Sequence, residues 1–237
     1  MKKIELTMIL IALNFIGCGS IQGTIPTNNT PSQEDKIDYN SKFINTTDCN
    51  QIIDKEFFTS CFDYKLKATK SVSYTLEGDL MSNKIEKRPS FYKEPTLDKR
   101  YQIVTTDYTN TGYDRGHLAP HASFDWSQES LDAVYSLVNI IPQAPQVNRN
   151  MWVKVEKYAR DKALTLGSLD VLNVVRYSKN HKTIGKNRMA VSKGFYKVLY
   201  NHDKNYQECF YYINRLNASS RDDTINKHRI DCDEVKY

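Results

Sequence analysis

The sequence predicts an α+β fold. Helix-like spacing of apolar residues occurs over 127–137 and again over 147–166. On either side lie short runs rich in β-branched and aromatic residues, punctuated by turn-forming residues. A 237-residue chain that is 40% hydrophobic has enough apolar material for one ordinary core plus an extension.

The elements follow in order. Phe57, Phe58, Phe62 and Tyr64 form an early aromatic cluster suited to a core. Residues 70–80 carry β-branched and aromatic side chains and run into Glu77-Gly78-Asp79, a strand with its exit turn. Residues 88–95 hold two prolines and read as a loop, residues 101–106 as a short strand, and residues 108–112 as a turn. The first helix places Leu131, Val134, Tyr135 and Leu137 inward, and the segment 139–143 interrupts it. In the second helix, Asn148, Trp152, Glu156 and Arg160 are four apart and step round by roughly 40° each, so they share one broad face. Val155, Ala159, Ala163 and Leu166 border that face and turn inward. Residues 169–177, 189–192, 195–200 and 209–213 read as strands. His181, His202 and His228 stand in polar stretches and read as surface residues.

Composition narrows the function class. The formal charge of +5 suits a polyanionic partner without requiring one. No CxxC pair occurs, which argues against a zinc site, and no Gly-x-Ser-x-Gly elbow or Gly-rich nucleotide loop is present. The cysteines are Cys18, Cys49, Cys61, Cys209 and Cys232. With Cys18 set apart, four remain and allow three pairings; proximity along the chain favours Cys49–Cys61 and Cys209–Cys232, provided the protein reaches an oxidising compartment.

Three segments are expected. Residues 1–18 carry Lys2 and Lys3 ahead of an apolar run that ends at Phe15-Ile16-Gly17-Cys18, similar to a bacterial lipobox. In that reading Cys18 is lipidated and tethers the protein to the cell envelope; a plain secretory signal is the alternative. Residues 19–45 are rich in Thr, Asn, Ser, Pro and Gln and read as a flexible linker. Residues 46–237 form the folded domain.

The chemistry concentrates in Gly112-Tyr113-Asp114-Arg115-Gly116-His117-Leu118-Ala119-Pro120. His117 can take a proton near neutral pH, and Arg115 can grip phosphate oxygens in a planar fork. His121 stands close by as a further candidate. Asn148, in the first turn of its helix, sits where free N–H groups and the helix dipole favour an anion.

These residues carry a resemblance. Asp114-Arg115-Gly116-His117, followed by Asn139-x-x-Pro142-Gln143 and by Asn148, Trp152, Glu156 and Arg160 at four-residue spacing, resembles the motif set of the DNA/RNA non-specific endonucleases of the ββα-metal (His-Me finger) class. The likeness spans roughly residues 74–214. It implies an antiparallel sheet flanked by helices. It also implies a Mg²⁺-dependent or Mn²⁺-dependent enzyme that hydrolyses DNA and RNA phosphodiesters with little sequence preference. By the same resemblance His117 is the general base and Asn148 the direct metal ligand. Glu156 holds the metal through water, and Asn139 lies near it. Arg88, Arg115 and Arg160 clamp phosphate, and Asp114 belongs to the catalytic motif. An inhibitor protein is a conceivable partner. The competing reading is a nucleic-acid-binding lipoprotein without catalysis, for which the arginines alone would suffice.

Overall fold

A computed structural model describes residues 48–82, 84–85 and 87–236. The expected leader, its Cys18 and the linker lie outside the described residues. A seven-stranded sheet forms the frame, built from β1 (Gln51–Asp54), β2 (Thr59–Asp63), β3 (Ala68–Glu77), β6 (Ser168–Arg176), β9 (Gly194–Asn201), β10 (Tyr206–Ile213) and β11 (Arg229–Ile230), in that spatial order. Every neighbouring pair is antiparallel. The small hairpin β7 (Thr183–Ile184) and β8 (Met189–Ala190) lies outside this sheet.

β3 and β6 are paired from Ser71↔Val174 to Glu77↔Ser168, yet everything from 78 to 167 lies between them in sequence. That excursion carries the motif residues. It contains the two-stranded ribbon of β4 (Asp114–His117) and β5 (Ile140–Gln143), then the short helix α1 (Gln128–Val134) between those strands. A π-helical turn (Val147–Trp152) then leads directly into helix α2 (Val153–Leu166). The chain returns to the sheet at Gly167, where φ is +92° and the backbone N–H caps Ala163 O. Gly78 sits against this helix end: a Cβ there would lie 2.7 Å from Ala163 O, so only glycine lets α2 close over the end of β3.

The core lies between the sheet and the excursion. Val155, Ala159 and Ala163 of α2 and Leu131 and Val134 of α1 are buried against Val72, Leu76, Leu169, Val171, Phe195 and Leu199 of the sheet. Alternation along β6 and β9 sends Leu172, Val174, Tyr196 and Val198 to the opposite face, where Cys209 and Val235 join them. The disulfide Cys209–Cys232 fastens the C-terminal segment to that face, and Cys49–Cys61 fastens the start of the domain to β2. Both pairings are those that chain proximity favours.

Several local expectations change. Residues 101–106 form no strand; a 3₁₀ turn (Thr105–Tyr108) takes the end of that run, because the buried Asp107 carboxylate accepts the Val104 N–H at 2.9 Å and closes the turn. The segment 139–143 does more than interrupt a helix: 140–143 is β5, pairing with the motif strand residue for residue. The first helix is shorter than expected and is N-capped by Ser127, whose hydroxyl accepts from Ser130 N. His228 is no surface residue. Its side chain is 13% exposed, stacks on Tyr212 at 3.8 Å and meets Asp223 at 2.6 Å.

Candidate active site

Alternation along β4 puts Arg115 and His117 on the same side of the ribbon. Gly116 between them is dictated by packing, since any Cβ there would collide with the Gln143 side chain across the ribbon. The strand then continues into a turn fixed by Asn139. Its carboxamide is fully buried, donating to Ala119 O and Val134 O at 2.8 Å each and accepting from Ala119 N at 2.7 Å. Asn139 does not line the cleft; it is a backbone clamp that sets the position of the His117 strand.

The loop 88–95 is held from below by Glu94. This buried carboxylate accepts from Lys55 and Ser136, both at 2.9 Å. Backbone bonds from Tyr92 N to Tyr135 O and from Leu137 N to Tyr92 O secure it further. Arg88 and Phe91 thereby face β4. Phe91 and Tyr135 flank the His117 imidazole, with centroid distances of 5.5 and 5.0 Å. Tyr135 also meets His121, whose Nδ1 is 3.0 Å from the phenol oxygen.

Across the gap, the π-helical turn presents Asn148 and Arg149. Asp114 joins the two sides: it accepts from Arg149 in a fork of 2.8 and 2.7 Å and from Asn148 Nδ2 at 3.0 Å. That bond fixes the amide orientation of Asn148 and leaves Oδ1 without a donor among the described residues. The outcome is one cleft of about 560 Å³, lined by Arg88, Phe91, Asp114, Arg115, His117 and His121 on one side and by Asn148, Arg149, Val153 and Glu156 on the other.

Electrostatics prepare these groups differently. Burial, with the nearby charges of His121 and Arg88, lowers the His117 pKa to about 3, so its imidazole is neutral at any ordinary pH. Its Nε2 is shielded from solvent and has no hydrogen-bond partner among the described residues. Burial alone would raise the Asp114 carboxyl, but the bonds from Arg149 and Asn148 outweigh it and hold the carboxyl below its ordinary value. Burial pushes Glu156 upward, opposed by Lys197 and Arg160.

Lys197 is the residue that sequence reasoning missed. It is wholly buried in β9, with Nζ donating to Asn173 Oδ1 at 2.8 Å and to Tyr74 at 3.3 Å, 4.5 Å from the Trp152 ring centroid. Asn173 in turn donates to Leu118 O at 2.9 Å, next to His117. The available signal was a lysine inside the apolar run Phe195-Tyr196-Lys197-Val198-Leu199. Arg149 was also missed; nothing but its neighbour Asn148 marked it.

The structure thus brings Arg88, Asp114, Arg115, His117, Asn148 and Glu156 into one cleft. Arg160 is not among the lining residues. It lies one turn beyond Glu156, with Nη1 buried and without a partner among the described residues, and its charge acts on Glu156 and Lys197. Trp152 does not line the cleft either: it is buried edge-on against Phe195 and Tyr212.

The donor set fits a hard divalent cation. No group of three His, Cys, Asp or Glu side chains suited to a metal occurs among the described residues. A cation in this cleft would rest on the Asn148 carboxamide oxygen, keep most of its water, and have Glu156 nearby to bind that water. Such a sparse oxygen set matches the coordination habits of Mg²⁺.

Comparison with known proteins agrees with the motifs. The family model for DNA/RNA non-specific endonucleases matches residues 37–236. Mitochondrial endonuclease G of Homo sapiens is 31% identical over 160 residues, covering 63% of this chain and 54% of that protein. A nuclease of Nostoc sp. is 29% identical over 159 residues, covering 64% and 57%. The chain therefore spans little more than half the length of these relatives. A chain of the EndoG/EndoGI complex superimposes with a TM-score of 0.69 at 21% identity, covering 77% of this chain and 80% of that one, a likeness of fold. By the family match over nearly its whole described length, and by the motif cleft that the fold assembles, this chain belongs to the DNA/RNA non-specific endonuclease family.

Proposed function

We propose that this protein is a metal-dependent endonuclease that hydrolyses DNA and RNA phosphodiesters without reading base sequence. The observation that carries the reading is the cleft itself, where a neutral imidazole faces an amide oxygen free to hold a cation, beside the Arg88 and Arg115 side chains. His117 accepts the proton of the attacking water. Arg115 and Arg88 hold the phosphate oxygens while charge builds on them. Asn148, oriented by Asp114, would hold the cation, and Glu156 would bind the cation's water. A bound Mg²⁺ or Mn²⁺ would supply charge neutralisation at the scissile phosphate. Contacts of this kind reach phosphate, which is the same at every step of the polymer, so the site discriminates little between sequences.

Plasmid cleavage with Mg²⁺, with and without EDTA, tests this. Cutting abolished by chelator supports the enzyme; a gel shift without cutting replaces it with a binding protein. Export with a lipid tether at Cys18 belongs to the same proposal. The two disulfides support an oxidising destination. Cys18→Ala should move the protein from the membrane to the soluble fraction, and persistence in the membrane fraction would remove the tether from the proposal.

A further inference from the structure

Beside the catalytic cleft runs a second, more open groove of about 400 Å³, lined by Pro89, Ser90, Phe91, Thr105, Thr106, Thr109 and Arg115. Phe91 and Arg115 belong to both hollows. The Arg115 guanidinium lies 5.3 Å from the Phe91 ring centroid and forms no ion pair among the described residues. It stands at the ridge between the two spaces.

The opposite wall is rigid and polar. The 3₁₀ turn Thr105–Tyr108 is closed by Asp107, which also accepts from Asn187 N at 3.0 Å and from its Nδ2 at 2.8 Å. The Tyr108 hydroxyl donates to Ile140 O at 3.1 Å, tying this turn to β5 and so to the catalytic ribbon. The hydroxyls of Thr105, Thr106 and Thr109 bond to no protein group among the described residues. No carboxylate lines the groove. A fixed row of free hydroxyl donors next to one shared cation is matched by the phosphate and sugar oxygens of a polynucleotide.

We infer that this threonine groove seats the nucleotide adjoining the scissile phosphate, with Arg115 bridging the two successive positions. The inference rests on the nuclease reading of the neighbouring cleft and adds the path of the strand. It makes Thr105 and Thr109 binding residues for polymer, and Arg115 the hinge between binding and chemistry.

The test uses Thr105→Val with Thr109→Val, which keeps the β-branched shape and removes both hydroxyls. Affinity for a fluorescent oligodeoxynucleotide is measured in EDTA, and cleavage of the same oligonucleotide in Mg²⁺. The expected result is a loss of affinity of about tenfold and a matching rise in KM, with kcat and melting temperature retained. Neutral hydroxyls release no counterions, so the slope of log K against log salt should stay unchanged. Arg115→Gln should flatten that slope by about 0.7 to 0.9. A change in affinity below twofold overturns the groove, and so does a fall in kcat with KM unmoved, which would mark the turn as mere support. Wild-type protein that binds but never cuts would refute the nuclease reading, while the affinity comparison still decides the groove.

Discussion

Replacing His117 by alanine separates the packing of this side chain from its chemistry, because the two respond differently to pH. In the folded protein the imidazole pKa is lowered to about 3, against about 6.5 in an unfolded chain. At pH 4 nearly all unfolded molecules carry the proton, and only about one folded molecule in ten does. The difference amounts to about 3 kcal/mol of stability. The sign follows from the lowered pKa: the contribution is present in full above about pH 6.5 and is lost as the pH falls toward 3. Urea unfolding of both proteins at pH 7 and pH 4 measures it. Wild type should lose about 3 kcal/mol more than His117→Ala between those pH values, and the difference between proteins cancels any cavity left by the truncation. In Mg²⁺ at pH 7 the variant should lose about 10²- to 10⁴-fold in cleavage rate. Equal pH sensitivity of the two proteins would show that the imidazole is not held neutral, and near-normal cleavage would refute its role as base.

The remaining expectations concern metal and frame. Asn148→Ala should raise the Mg²⁺ concentration for half-maximal cleavage by at least tenfold, while an unchanged titration would exclude it as ligand. Asp114→Asn should shift the same titration in the same direction by about 10- to 100-fold, since it releases Arg149 and the orientation of Asn148. Lys197→Met removes a buried positive charge beside Glu156 and should cost about 3–5 kcal/mol in urea unfolding, with part of the loss recovered when Glu156→Gln is added. Reduction with dithiothreitol should lower stability by about 2–4 kcal/mol per disulfide, read as a fall in the melting midpoint of the reduced against the unreduced protein.

Much of the site is visible in the sequence because catalysis needs particular functional groups at fixed intervals. Asp114 to His117 occupy one strand and Asn148 to Glu156 one helical segment, so local geometry fixes their spacing within each block. The helix α2 was legible from periodicity, as were β3, β6, β9 and β10, whose burial needs produce long apolar runs. Where a polar side chain overrides backbone preference, the reading failed: Asp107 turned an apparent strand into a 3₁₀ turn.

The sequence by itself determined the chemical inventory, the α+β class and the favoured cysteine pairs, since each depends on residues close along the chain. Only the tertiary structure decided which groups meet. The excursion between β3 and β6 folds back so that Asp114 reaches Asn148 and Arg149 across the cleft. The same folding turns Asn139 into a backbone clamp and buries Lys197 behind Glu156. Those roles come from desolvation and from partners distant in sequence, and neither quantity is encoded in local spacing.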